Sequence, residues 1–466
     1  MHSENKYQID MCHGPLFSKI VLFSVPLMFS YVMQMFFNTA DLIVVGRFAS
    51  ADALAAVGSS SGLTSMLLNL FFGLSVGVNV LTARHIGAKD REKVTATVHT
   101  AAAVGLFGGI IMAVIGILGS RWALRQMSTP EKILDQATLY LQIYCSGIPF
   151  SVAYNFGSSI LRAQGDTRRP LFFMVIAGFV NVLLNLFFVL VFHLDAAGVA
   201  LATMMANALS AVMIIAVLTR ARDACRLVWK KIRIRGDIFL DMLKNGVPPG
   251  VQAACYSASN IAIQSSVNSF GPPAIAGNTA AQSLECLVYV ASTAYYHTAI
   301  SFLGQNRGAK KYKRIVRSIF WCLACTFILS LIAGFTFCLT GTTVLKIYNS
   351  DPEVIRWGMV RVKILFSTYF LNGFMDAICG ALRGLGLSVK PTAVTLLGVT
   401  GFRIAWVLWV FPHDRTMENL MLSYPISWLI VSVVNGYILY QAVRDLFRQA
   451  VNQHPHQQLA NLKTKI

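Results

Sequence analysis

The ionisable side chains buried deepest within apolar stretches of this 466-residue chain are Asp41, Glu285, Asp376 and Arg403. Asp41 lies in FNTADLIVVG, inside a run that is otherwise greasy from Ile20 to Val45. An ionised carboxylate in hydrocarbon costs at least ~2.5–3.5 kcal/mol on insertion scales, so such a group is paired, protonated or bound to an ion. The first half of the chain supplies no deep cation to pair it. Its polar residues at similar depth are neutral: Asn38, Asn155, Asn181, Asn185 and Thr203. Asn181 and Asn185 are four apart, which puts both amides on one helix face, one turn above the other. Carboxamide and hydroxyl oxygens around one carboxylate are the hard donors that an alkali cation prefers. The same groups can hydrogen-bond a protonated Asp41. In either reading the carboxylate is neutral when its ion is bound.

In the second half, Glu285, Asp376 and Arg403 sum to one negative charge. An ion pair between Arg403 and one carboxylate is the expected arrangement. It leaves the other carboxylate for a cationic substrate or a second ion. Tyr256, Tyr289, Tyr295 and Met375 offer faces for flat organic cations through cation–π and soft contacts. Arg361 and Lys363 fall near the outer end of their apolar run and are expected to snorkel.

Such residues need helices that cross a membrane to position them. The chain is 55% hydrophobic and 13% charged, against about 25% charged in soluble domains. The fold class is therefore an all-α integral membrane protein. Twelve apolar runs can each cross a ~30 Å hydrocarbon core as a helix: 19–45, 54–81, 95–119, 135–160, 170–192, 197–219, 246–269, 276–303, 316–340, 356–382, 391–411 and 420–442. They lack the period-two alternation of barrel strands.

The net charge of +19 collects in alternate loops, at 84–93, 162–169, 220–244 and 307–317. By the positive-inside rule these loops and both termini are cytoplasmic, in a multi-pass plasma-membrane protein. The basic loops then set topology and touch anionic membrane lipids, and nucleic acid is not an expected partner. The first run is too long for a signal peptide and is expected to stay as an anchor. Cys322 and Cys325 form a C-x-x-C inside an apolar run without a second pair, and the His454-Pro455-His456 tract has no cysteine partner, so neither reads as a metal site. P-loop, HExxH and nucleophile-elbow patterns are absent. The expectation is a protein that is not an enzyme, needs no cofactor, and draws on an ion gradient of H⁺ or Na⁺.

The chain also repeats itself at an offset of about 221 residues. Arg162, Gly165 and Pro170 in LRAQGDTRRP fall on Arg383, Gly386 and Pro391 in LRGLGLSVKP; HIGAK at 85–89 falls on NRGAK at 306–310; Asn155 falls on Asp376. Two copies of a six-span unit both enter the bilayer from one side, because six is even. Their pseudo-two-fold axis then lies along the membrane normal. The expected domains are an N-terminal six-helix lobe at 1–219, a basic cytoplasmic linker at 220–245, a C-terminal six-helix lobe at 246–445 and a polar cytoplasmic tail at 446–466. Paired bundles suit a transporter that moves one bundle against the other; a scaffold and a channel are the competing classes.

PLMFSYVMQMFFNTADLIVVGRF in the first span, LRAQGDTRRP after the fourth and LRGLGLSVKP after the tenth resemble the multidrug and toxic compound extrusion (MATE) family, over nearly the whole chain. The resemblance implies alternating access and export of amphipathic, cationic drugs or metabolites in exchange for H⁺ or Na⁺, by a chain that works as a monomer. It also implies a first-lobe cation site in which Asp41, Asn181, Asn185 and Thr203 match the family's positions. Asn185 stands where an acidic residue is usual, which removes a negative charge and leaves the choice of ion open. Another branch carries acidic residues in spans seven and ten, where this chain has Tyr256 and Asn372; Asp376 lies one turn from Asn372. The rival reading is a flippase for lipids or lipid-linked oligosaccharides, which would need deep cations to meet phosphates.

Overall fold

The computed structural model describes residues 7–127 and 129–453, and every regular element among them is helical. The His454–His456 tract and the end of the polar tail lie outside the described residues. In chain order the elements are α1 (Leu16–Phe48), α2 (Ala51–Gly87), α3 (Arg91–Gln126), α4 (Glu131–Ser146), α5 (Ile148–Ala163), α6 (Arg168–Leu190), α7 (Asp195–Arg220), α8 (Gly236–Asn268), α9 (Pro272–Gly308), α10 (Tyr312–Tyr348), α11 (Pro352–Arg361), α12 (Tyr369–Gly384), α13 (Val389–Thr395), α14 (Phe402–Ala405) and α15 (Met417–Gln453). Taking α4 with α5, α11 with α12, and α13 with α14 gives the twelve crossings expected from the apolar runs.

Length and composition alone qualify eight of these helices as membrane spans, and a ninth when α11 and α12, bent by 48°, are taken as one. The shortfall has a physical cause. α8 and α9 are long enough but carry polar residues along the face they bury, including Gln252, Ser259, Asn278 and Ser292. Chain breaks are capped as helix chemistry requires: Ser50 accepts from Ala53 N–H at 3.1 Å to start α2, and Asp90 accepts from Lys93 N–H at 3.0 Å to start α3. The internal repeat is visible in the backbone. Lys89 and its repeat mate Lys310 both adopt left-handed φ, 57° and 55°, and so do Gly165 and Gly386, at 94° and 69°.

The chain divides into two compact units, Met1–Asp10 with Val21–Ala254, and Met11–Ile20 with Cys255–Ile466. The division falls within α8 instead of at 245, and packing explains why. The basic segment expected as a linker is docked on the first unit: Thr95 Oγ1 donates to the Ala224 carbonyl at 2.9 Å, and Val228 N–H donates to His99 Nε2 at 3.1 Å. Cys225, Leu227, Ile238 and Met242 join the first unit's apolar core. The first half of α8 also meets α2 through glycines on both helices. A Cβ on Gly73 would stand 2.6 Å from the Gly246 carbonyl oxygen, and one on Gly246 would stand 2.7 Å from the Leu74 Cα. Only small residues permit so close a backbone approach. In the second unit, Met11 is fully buried, its carbonyl accepting from Asn306 Nδ2 at 3.2 Å and Arg314 Nε at 2.8 Å.

Candidate functional site

In the first unit α1 supplies Asp41, α6 supplies Asn181 and Asn185, and α7 supplies Thr203. The spacing of the two asparagines aims both at α1 and α7. Asn185 Nδ2 donates to Asp41 Oδ1 at 2.5 Å and reaches Asn181 Oδ1 at 3.4 Å; Asn181 Nδ2 donates to Thr203 Oγ1 at 3.4 Å. Gly178, one turn before Asn181, leaves room for the Phe37 ring, which lets α1 lie close to α6. Asn185 is fully buried, and its carbonyl oxygen has no hydrogen-bond donor. Among the described residues no cation pairs with Asp41.

Two of the residues considered with this group lie apart from it. Asn155 donates to the Ser151 carbonyl of its own helix at 2.8 Å, and Asn38 is exposed. Two residues that sequence reasoning missed belong near it. Tyr140 and Tyr144 of α4 stack with ring centroids 6.1 Å apart and lie in the electrostatic field of Asp41. Their four-residue spacing was the available signal.

The second unit holds a cavity of about 280 Å³. It brings together the five second-lobe residues singled out from sequence, Tyr256, Glu285, Asn372, Asp376 and Arg403. The charge pairing differs from expectation. Glu285 is bound by Arg361, whose Nη2 and Nε lie 2.5 and 3.2 Å from its Oε2, while Arg361 Nη1 donates to Asn278 Oδ1 at 2.8 Å. Arg361 does not snorkel: it is 3% exposed, because it closes α11 on the inner face, where a carboxylate and an amide offset its desolvation. Lys363, two residues on, is exposed.

Arg403 consequently has no carboxylate partner among the described residues. Its Nε donates to Ser427 Oγ at 3.1 Å, and its guanidinium lies over the rings of Tyr424, at 3.9 Å, and Trp428, at 5.9 Å. Asp376 Oδ2 and Asn372 Nδ2 are buried without partners. Both guanidiniums sit at irregular backbone. Arg361 directly precedes a π-helical turn at Val362–Phe366, and Arg403 lies between π turns at Leu396–Gly401 and Trp406–Val410. π turns recur at functional sites because they rotate side chains out of the α register.

The comparisons with known proteins agree with this architecture. The MatE family model matches twice, at residues 26–187 and 248–409, so the two matches start and end 222 residues apart. The chain is 28% identical to the probable multidrug resistance protein YpnP of Bacillus subtilis (strain 168), over 86% of this chain and 88% of that one. It is 25% identical to the probable multidrug resistance protein YoeA of the same organism, over 91% and 93%. Its fold superposes on the outward-facing conformation of a multidrug resistance MATE family transporter of the MOP superfamily with a TM-score of 0.88, at 20% identity, covering 96% of this chain and 100% of that one. The chain belongs to the MatE family of multi-pass membrane transporters.

Proposed function

We propose that this transporter is a secondary antiporter that exports amphipathic organic cations, drugs or metabolites, in exchange for H⁺ or Na⁺, with Asp41 as the coupling carboxylate. The observation that carries the reading is the Asp41–Asn185–Asn181–Thr203 chain. It surrounds a membrane-depth carboxylate with neutral groups and leaves the Asn185 carbonyl oxygen without a donor. Two oxygen acceptors with no cation beside them are suited to a proton or an alkali ion. Binding of that ion favours one packing of α1 against α6 and α7, and its release favours the other. Coupling follows when ion and exported cation differ in affinity for the two states. Pro26, within α1, removes one ladder hydrogen bond and gives the helix a place to bend.

The basic loops place both termini in the cytoplasm, at the plasma membrane. Flippase activity is less well supported, because Glu285 neutralises Arg361 and leaves Arg403 to meet a phosphate alone. The test is efflux of a fluorescent organic cation from proteoliposomes under separately imposed proton and sodium gradients. One gradient is expected to drive efflux in the parent protein and to fail in Asp41→Asn. Equal efflux by the variant would refute the role given to Asp41.

A further inference from the structure

The second-unit cavity contains opposite charges that the protein does not join. Arg361 and Glu285 close on each other, but Arg403 has no carboxylate and Asp376 has no cation hydrogen-bonded to it. Both are more than nine-tenths buried, at 5% and 9% exposure, as is Asn372 at 6%. Asn372 and Asp376, one turn apart on α12, present an unpartnered amide N–H and an unpartnered carboxylate oxygen to the same space. Tyr256 stands within electrostatic reach of both Asp376 and Arg403. The other walls are aromatic, Tyr289, Tyr369, Tyr424 and Trp428.

Burying two unpaired charges of opposite sign is costly, and one ligand can relieve both at once only if it carries both complements. A ligand carboxylate suits the planar guanidinium fork of Arg403. A ligand ammonium suits Asp376, and an aromatic body suits the walls. A volume of about 280 Å³ is near the lower end of small-molecule sites, room for a single bicyclic ring system with short arms. We propose that this cavity binds zwitterionic aromatic compounds, with the carboxylate on Arg403 and the ammonium on Asp376. The site goes beyond ion coupling at Asp41 and extends the ligand range past simple cations.

The experiment is isothermal titration of the detergent-purified full chain, without any ion gradient, with three probes of one skeleton. L-tryptophan carries both charges, its methyl ester only the ammonium, and N-acetyl-L-tryptophan only the carboxylate. The free amino acid is expected to bind about tenfold or more tighter than either capped form, ~1.4 kcal/mol. Arg403→Gln should remove that advantage over the ester and leave ester binding unchanged. Asp376→Asn should remove the advantage over the N-acetyl form. An ester that binds as tightly as the free amino acid, or the absence of binding heat from all three probes, would overturn the proposal. Should a variant fail to fold, the ladder on the parent protein decides alone. Because no gradient is imposed, the result is independent of whether Asp41 couples transport to an ion.

Discussion

Asn185 gives its amide protons to Asp41 and Asn181 while its own carbonyl oxygen goes unmatched. An acidic residue there would add a second carboxylate beside Asp41. Asn185→Asp is therefore expected to tighten Na⁺ binding about tenfold, ~1.4 kcal/mol, read as the sodium dependence of thermal stability in detergent. Arg361 poses the opposite case. Removing it leaves Glu285 buried and unpaired, so Arg361→Met should cost about 3–5 kcal/mol of stability. The double variant Arg361→Met/Glu285→Met should recover most of the loss, and melting curves of the three proteins measure it. The proximity of Asn181 and Asn185 was legible from sequence because helical spacing fixes which residues share a face. The partner of Glu285 was not. Hydropathy gives a residue's depth in a span but not the side it faces, and Arg361 at the outer end of its run faces inward.

At the scale of elements, apolar run length located each crossing to within a few residues but could not show where a crossing breaks. The break between α4 and α5 at Gly147, the 48° bend between α11 and α12, and the π turns around Arg403 change hydrogen-bond register without changing composition. The glycine crossing of α2 and α8 was equally silent, since a glycine's reason lies in what approaches it. Gly246→Val should force the helix backbones apart and cost about 1–3 kcal/mol, visible as a lower melting temperature. Gly165→Ala should also destabilise, because a methyl group there meets the Ile9 carbonyl oxygen and because φ is 94°. Gly119 has open space around its Cβ position and ordinary φ, so Gly119→Ala should leave the melting temperature unchanged or slightly raised.

At the scale of the whole molecule, duplication was the most legible property, and the paired family matches and the paired left-handed turns both carry it. The two copies have diverged most where the chemistry lies. One holds a lone carboxylate among amides, and the other holds a mixed-charge cavity walled by aromatic rings. Sequence spacing could not assign the basic segment 220–245, because its attachment to the first unit runs through individual contacts such as His99 with Val228. The central claim is that one ion and the exported cation compete through Asp41. The most direct measurement is the affinity of detergent-purified protein for tetraphenylphosphonium, titrated separately against pH and against Na⁺, in the parent and in Asp41→Asn. The account predicts that affinity in the parent falls as H⁺ or Na⁺ rises, approaching tenfold per tenfold of the coupling ion, and that Asp41→Asn loses this dependence. An affinity indifferent to both ions, or the same dependence in the variant, would contradict it.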